Sequence, residues 1–118
     1  MPNRDTHVTA GVITGLFLFI ILTNKIHLTP IHLSFGIFFS VIGSVTPDTL
    51  EPATNWNHRA GFHSWFTLFT LLILGLMLMI FLLIVPENLL LLGFGLINFI
   101  GGYLSHLLLD STTPVGLS

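Results

Sequence analysis

The sequence predicts an all-α fold, an integral membrane bundle of four transmembrane helices with both termini on the same side. Three observations carry this. Of 118 residues, 53% are apolar and 7% charged, which leaves too little polar surface to enclose a water-soluble globule. The apolar residues gather into four runs, each near the length of about 20 residues that a helix needs to cross a bilayer. Between the runs stand prolines and short polar stretches that suit turns in the headgroup region.

The first run, Val8 to Thr23, closes at Asn24 and Lys25 and predicts a helix over about 8–24. The second, Ile31 to Val45, follows Pro30 and stops at Pro47, residues whose missing N–H and fixed φ suit helix boundaries. Its helix is predicted over about 31–46. The third starts at Ser64 or Trp65, carries no charge as far as Val85 and ends at Pro86, giving about 64–85. The fourth, about 89–110, is interrupted only by small residues and Asn98. The whole chain, residues 1–118, reads as one membrane domain. Gly11 with Gly15, and Gly101 with Ser105, are small residues one helical turn apart and predict a close approach of the first and fourth helices.

Four crossings bring His7, Asp48, Glu51, His58, His63, His106 and Asp110 to one membrane face. A four-helix bundle builds cofactor sites in this way, each helix lending side chains at one depth. His106 and Asp110, at i and i+4, share a helix face and can grip one ion. His58 and His63 flank Gly61, which permits the sharp turn that would bring them together. A single interfacial histidine is ordinarily just solvated, but six histidines against three Lys plus Arg is a different composition. Asp48 and Glu51 also have a plainer reading, as turn residues beside Pro47 and Pro52. Asp110 meets the negative end of a helix dipole and asks for a cation, a metal or Arg59. His27 and His32 fall at the opposite face and are expected not to be ligands. Trp56 and Trp65 read as interfacial anchors.

Several classes are excluded or disfavoured. A net charge of -2 offers nucleic acid no electrostatic footing. The absence of cysteine rules out disulfides and thiolate ligands, so any metal must be held by imidazole and carboxylate. Arg4 and Arg59 on the site side, against Lys25 opposite, favour a cytoplasmic site in a cell (inner) membrane.

Three blocks give a family resemblance. Gly43-Ser44-Val45-Thr46-Pro47-Asp48 is similar to a G-S-x-x-P-D block, and His58-Arg59-Ala60-Gly61-Phe62-His63-Ser64 to H-R-G-x-T-H-S. Gly102-Tyr103-Leu104-Ser105-His106-Leu107-Leu108-Leu109-Asp110 is similar to G-Y-x-S-H-x-x-x-D, and it continues through Thr113-Pro114-Val115-Gly116. With His7 as the early histidine, the chain resembles the LexA-regulated, YdjM-like family of membrane-bound metal-dependent hydrolases. It departs from the family pattern at Leu50, where many relatives carry a second acid, and at Phe62, where they carry Thr.

The resemblance implies a phospholipase-like reaction on an ester or phosphoester of a lipid or other amphiphile at the bilayer surface. The expected ligands of a divalent metal, zinc first, are His58, His63, His106 and Asp110, joined by His7 or Asp48. Asp48 or Glu51 is the expected general base, and Arg59 is expected to steady phosphate charge. The alternative is a non-catalytic membrane subunit, or an ion- or proton-handling module, whose His/Asp cluster is structural. Expected partners are the lipid bilayer, the amphiphilic substrate, and a homo-oligomer or membrane complex.

Overall fold

The computed structural model describes residues 4–24, 28–50 and 64–112. It contains four helices, α1 (Arg4–Leu22), α2 (Pro30–Leu50), α3 (Trp65–Leu82) and α4 (Glu87–Ser111), and no strand among the described residues. All four are long and apolar enough to cross a membrane, and their large exposed side chains, such as Phe17, Phe38, Phe66 and Ile80, form an outward apolar surface. In water such a surface would drive aggregation; in a bilayer it faces its proper solvent.

Local chemistry sets the boundaries. α1 begins four residues before the expected position, with Asp5 in its first turn, where a carboxylate meets the positive end of the dipole. His7 therefore stands inside the helix. Thr29 precedes α2, whose first residue is Pro30, a position that needs no N–H. The Thr29 N–H donates to His32 Nδ1 at 3.1 Å, a reciprocal cap of the kind that Glu supplies in a capping box. Ser64 caps α3, its hydroxyl accepting from the Thr67 N–H at 3.1 Å.

The expected stop at Pro47 is corrected: α2 runs through it to Leu50. Side chains around the proline hydrogen-bond the backbone, Ser44 to the Val41 carbonyl at 2.7 Å, Thr46 to Ile42 at 2.7 Å and Thr49 to Val45 at 3.0 Å. Such side-chain hydrogen bonds help satisfy the backbone around a proline, so Pro47 need not end a membrane-spanning helix.

The buried clusters fix the directions of the helices. At one end Leu22, Leu28, Leu82 and Leu90 pack together with Phe94 and Ile97, joining the end of α1, the approach to α2, the end of α3 and the start of α4. Nearer the other end Leu68 of α3 packs on Tyr103 and Leu107 of α4. α1 and α3 thus run one way, α2 and α4 the other. α4 is the central element and touches all three others, whereas α3 packs on α4 alone among the described residues.

Glycines let the backbones approach. A Cβ on Gly102 would strike the Ser40 carbonyl, and one on Gly43 the Phe99 carbonyl, so α2 and α4 are in direct main-chain contact. The pairing expected for Gly11 and Gly15 is corrected too. They pack on α2, where a Cβ on Gly11 would lie 2.8 Å from Ser44 Oγ and one on Gly15 3.0 Å from Ile37 Cα. Gly101 does meet α1, at Thr14 and Leu18.

Candidate metal centre

The starts of α1 and α3 and the ends of α2 and α4 lie at one end of the bundle, and the polar side chains collect there. His7 stands in the second turn of α1, Asp48 in the last turn of α2, and His106 and Asp110 one helical turn apart at the end of α4. His7, His106 and Asp110 are 0–1% exposed. A buried histidine pair with a buried acid in an apolar bundle is costly unless the groups satisfy one another or a shared ligand.

Asp110 bridges the two imidazoles. Its Oδ1 lies 3.4 Å from His7 Nε2, and its Oδ2 lies 3.1 Å from His106 Nε2. Asp48 Oδ1 approaches the same His106 Nε2 at 3.4 Å, and its side chain, 33% exposed, forms the outer edge of the cluster. The two rings stack with centroids 3.6 Å apart and planes inclined by 14°. One ligand atom from each of His7, His106 and Asp110 can be chosen so that all lie within 4.8 Å of one another.

The two histidines are held differently. His106 Nδ1 is 2.6 Å from the Ser44 carbonyl. A carbonyl can only accept, so Nδ1 carries a proton, and Nε2 faces the two carboxylates. This is the arrangement in which a backbone carbonyl orients a ligating histidine. His7, by contrast, has both ring nitrogens buried with no hydrogen-bond partner among the described residues. Its 3.4 Å approach to Asp110 is an ion-pair distance without hydrogen-bond geometry.

The donor set fits a divalent ion. Two imidazoles and carboxylate oxygens suit zinc and its first-row neighbours. Bond lengths of about 2.0–2.1 Å imply ligand–ligand separations of about 3.3 Å in a tetrahedron, and the three N···O distances here are 3.1, 3.4 and 3.4 Å. The orphaned nitrogens of His7 are the further sign that the cluster is not closed on itself.

Of the residues singled out from sequence, the structure brings together His7, Asp48, His106 and Asp110. Glu51, His58, Arg59 and His63, with Trp56, lie outside the described residues, as does His27. Ser64, the residue after His63, is at the same end, capping α3. His32 is at the opposite end, hydrogen-bonded to Thr29 and edge-on to Phe94. Trp65 is exposed near the site end and stacks on Phe69.

Sequence reasoning missed the Ser44 carbonyl, because a main-chain acceptor leaves no mark in residue identity. It also missed the α2–α4 contact that presents it. The usable signal was spacing: Gly36, Ser40, Ser44 and Asp48 recur every fourth residue, as do Asn98, Gly102, His106 and Asp110.

A family model described as YdjM inner membrane protein matches the chain over residues 1–118. No curated protein and no solved structure matches it.

Proposed function

The chain belongs to the YdjM inner membrane protein family, and on that premise we propose that it is a metal-dependent hydrolase working at the bilayer surface on an ester or phosphoester of a lipid or other amphiphile. The observation that carries the reading is His7: two buried ring nitrogens without a hydrogen bond among the described residues, beside a carboxylate and a second, oriented histidine. Each unsatisfied buried polar atom costs about 1–3 kcal/mol, and an ion bound in the cluster would satisfy the ring nitrogen of His7 that faces Asp110.

In this reading His7, His106 and Asp110 hold the ion, zinc being the one the donors suit best. His58 and His63 join them by the resemblance, with Asp48 either a further ligand or the base. A divalent ion held there would supply Lewis-acid charge and lower the pKa of a bound water. The protein's own part begins with Asp48. As the one member of the cluster that is partly exposed, it stands where water enters and can take a proton from the attacking water as the ester bond breaks. Glu51 is the alternative base, and Arg59 would pair with phosphate oxygens. His106 stays fixed by Ser44, while His7 is the adjustable ring. The two rings stack nearly parallel, and among the described residues His7 forms no hydrogen bond that would oppose its turning. The depth of the site, at the end of spanning helices, supports a substrate whose cleaved group sits at the headgroup level. Arg4 and Arg59 favour the cytoplasmic leaflet.

A transport reading finds less support. Beneath the site the backbones of α2 and α4 touch at Gly43 and Gly102, and Phe94 with its leucine neighbours fills the far end. A purely structural cluster would hydrogen-bond its own members, and among the described residues His7 does not.

The test is elemental analysis of the purified protein in detergent, followed by hydrolysis assays on lipid phosphoesters with and without chelator. Near-stoichiometric divalent metal, lost in His106→Ala and His7→Ala, with chelator-sensitive turnover, is the expected result. Metal at trace level in the native protein, unchanged in both variants, would leave the structural-subunit reading in its place.

A further inference from the structure

α1, α2 and α4 pack on one another pairwise, whereas α3 lies against α4 alone among the described helices. The seam between α1 and α4 is therefore open on the side turned away from α2, and two hollows lie along it. Toward the middle of the bundle a slot of about 110 Å³ runs between α1 and α3 over α4, walled by Leu18, Leu72, Gly75, Gly101 and Leu104 and by no polar side chain. At the site end a wider hollow of about 400 Å³ is bounded by Asp5, Thr6, Thr9 and Ile13 of α1 and Leu109 of α4. Thr6 and Leu109 adjoin His7 and Asp110 in the chain. The hollow has the size of a small-molecule site, about 300–1,000 Å³, while the slot is far below that range and admits only a stretch of chain. Depth fits as well. By the helix rise Leu104 and Ile97 stand about 9 and about 20 Å inward of Asp110, and the hydrocarbon of one leaflet is about 15 Å deep. The slot thus occupies the depth of acyl chains whose headgroups lie level with the metal centre. Glycine makes the room, since a Cβ on Gly75 would meet nothing nearer than Ile100 Cγ2 at 3.4 Å. Among the residues bounding the hollow Asp5 alone carries charge, and a carboxylate there attracts an ammonium and repels an anionic headgroup.

We propose that this seam binds one phospholipid of the surrounding leaflet, with an acyl chain in the slot and a zwitterionic, ammonium-bearing headgroup in the hollow beside the metal centre. The inference rests on the hydrolase reading for its consequence, which is that the substrate is a membrane-resident aminophospholipid entering sideways between α1 and α3. Binding itself needs neither metal nor turnover. Lipid tails are as apolar as leucine, so the chain gains packing and no hydrophobic drive from the move. The seam therefore selects by shape and by headgroup charge.

The experiment uses the full chain, stripped of metal, in phospholipid nanodiscs. They carry a trace of phospholipid with a photoreactive diazirine midway along one acyl chain and either an ethanolamine or a glycerol headgroup. Peptide mass spectrometry after illumination locates the cross-links. Labelling at Leu18, Leu72 and Leu104 is expected to exceed that at Phe66 and Ile80, which face outward, and to be stronger from the ethanolamine probe. Gly75→Leu fills the slot and Leu76→Trp narrows its rim. Each is expected to bring slot labelling down to the outward level while zinc, when restored, binds as in the native chain. Asp5→Asn is expected to remove the preference between the two probes. Slot labelling no stronger than at Phe66 and Ile80, unmoved by both slot variants, or equal from both headgroups overturns the proposal. A native chain with the expected labelling that hydrolyses no lipid once zinc is restored loses the hydrolase reading and keeps the lipid site. Lipid hydrolysis without slot labelling does the reverse.

Discussion

Asp110 is the residue on which the centre turns, because its two oxygens serve two different imidazoles, and removing its charge leaves His106 with Asp48 alone and takes from His7 the carboxylate beside it. Asp110→Asn keeps the volume and one acceptor. It is expected to weaken divalent-ion binding by more than the about 10–100-fold typical of losing an outer partner, measured by titration calorimetry in detergent; an unchanged affinity would place the ion elsewhere. Acidification acts on the same atoms. Protons compete for the imidazole and carboxylate lone pairs, so bound metal is expected to fall on acidification and to return on neutralisation, read by elemental analysis after dialysis. At this scale much was legible in advance. His106 and Asp110 were readable as a pair because four residues on a helix share a face, and His7 followed from counting crossings. The Ser44 carbonyl was not readable, because its role depends on where a neighbouring backbone lies.

Between elements, the α2–α4 interface converts spacing into register. Ser44 meets His106 by hydrogen bond, Gly102 meets Ser40, and Gly36 meets Asn98, so each level stands 62 residues apart in the chain. At two of these levels a glycine faces the partner, which is why polar side chains can be held at van der Waals distance inside a membrane. A methyl group at Gly102 would collide with backbone, which cannot rotate away as a side chain can. Gly102→Ala is therefore expected to cost about 1–3 kcal/mol or more in stability and to lose metal together with it. Gly75→Ala on α3 is the control, since its nearest neighbours would be ordinary contacts at 3.4 and 3.7 Å. Thermal unfolding in detergent with metal analysis distinguishes them, and equal behaviour of the two would mean that the α2–α4 contact does not govern the centre. The existence of four helices was plain from the apolar runs. The end of α2 was misplaced because proline was weighed as it behaves in water, and the partners of Gly11 and Gly15 were misassigned because small-residue motifs reveal close packing without naming the helix that answers it.

For the whole molecule, the decisive quantity is the parity of crossings. α3 holds none of the four ligand candidates the structure brings together, and among the described helices its backbone lies close to α4 alone. Yet without its passage α4 would enter from the other face, and His106 with Asp110 would stand a membrane thickness, about 30 Å, from His7. α3 therefore serves the site by direction. Its lipid-facing side chains carry little of the site's geometry, while its span is indispensable. The chain has no cysteine, so single substitutions Asp5→Cys, Asn24→Cys and Thr112→Cys can be labelled with a membrane-impermeant maleimide in intact and in opened cells. With a cytoplasmic site, Asn24→Cys is expected to react in intact cells, and Asp5→Cys and Thr112→Cys only after opening. The reverse pattern would keep the fold and turn the site outward. Asp5→Cys and Thr112→Cys reacting from opposite sides would mean an odd number of crossings, and no centre built from α1 and α4 together survives that result.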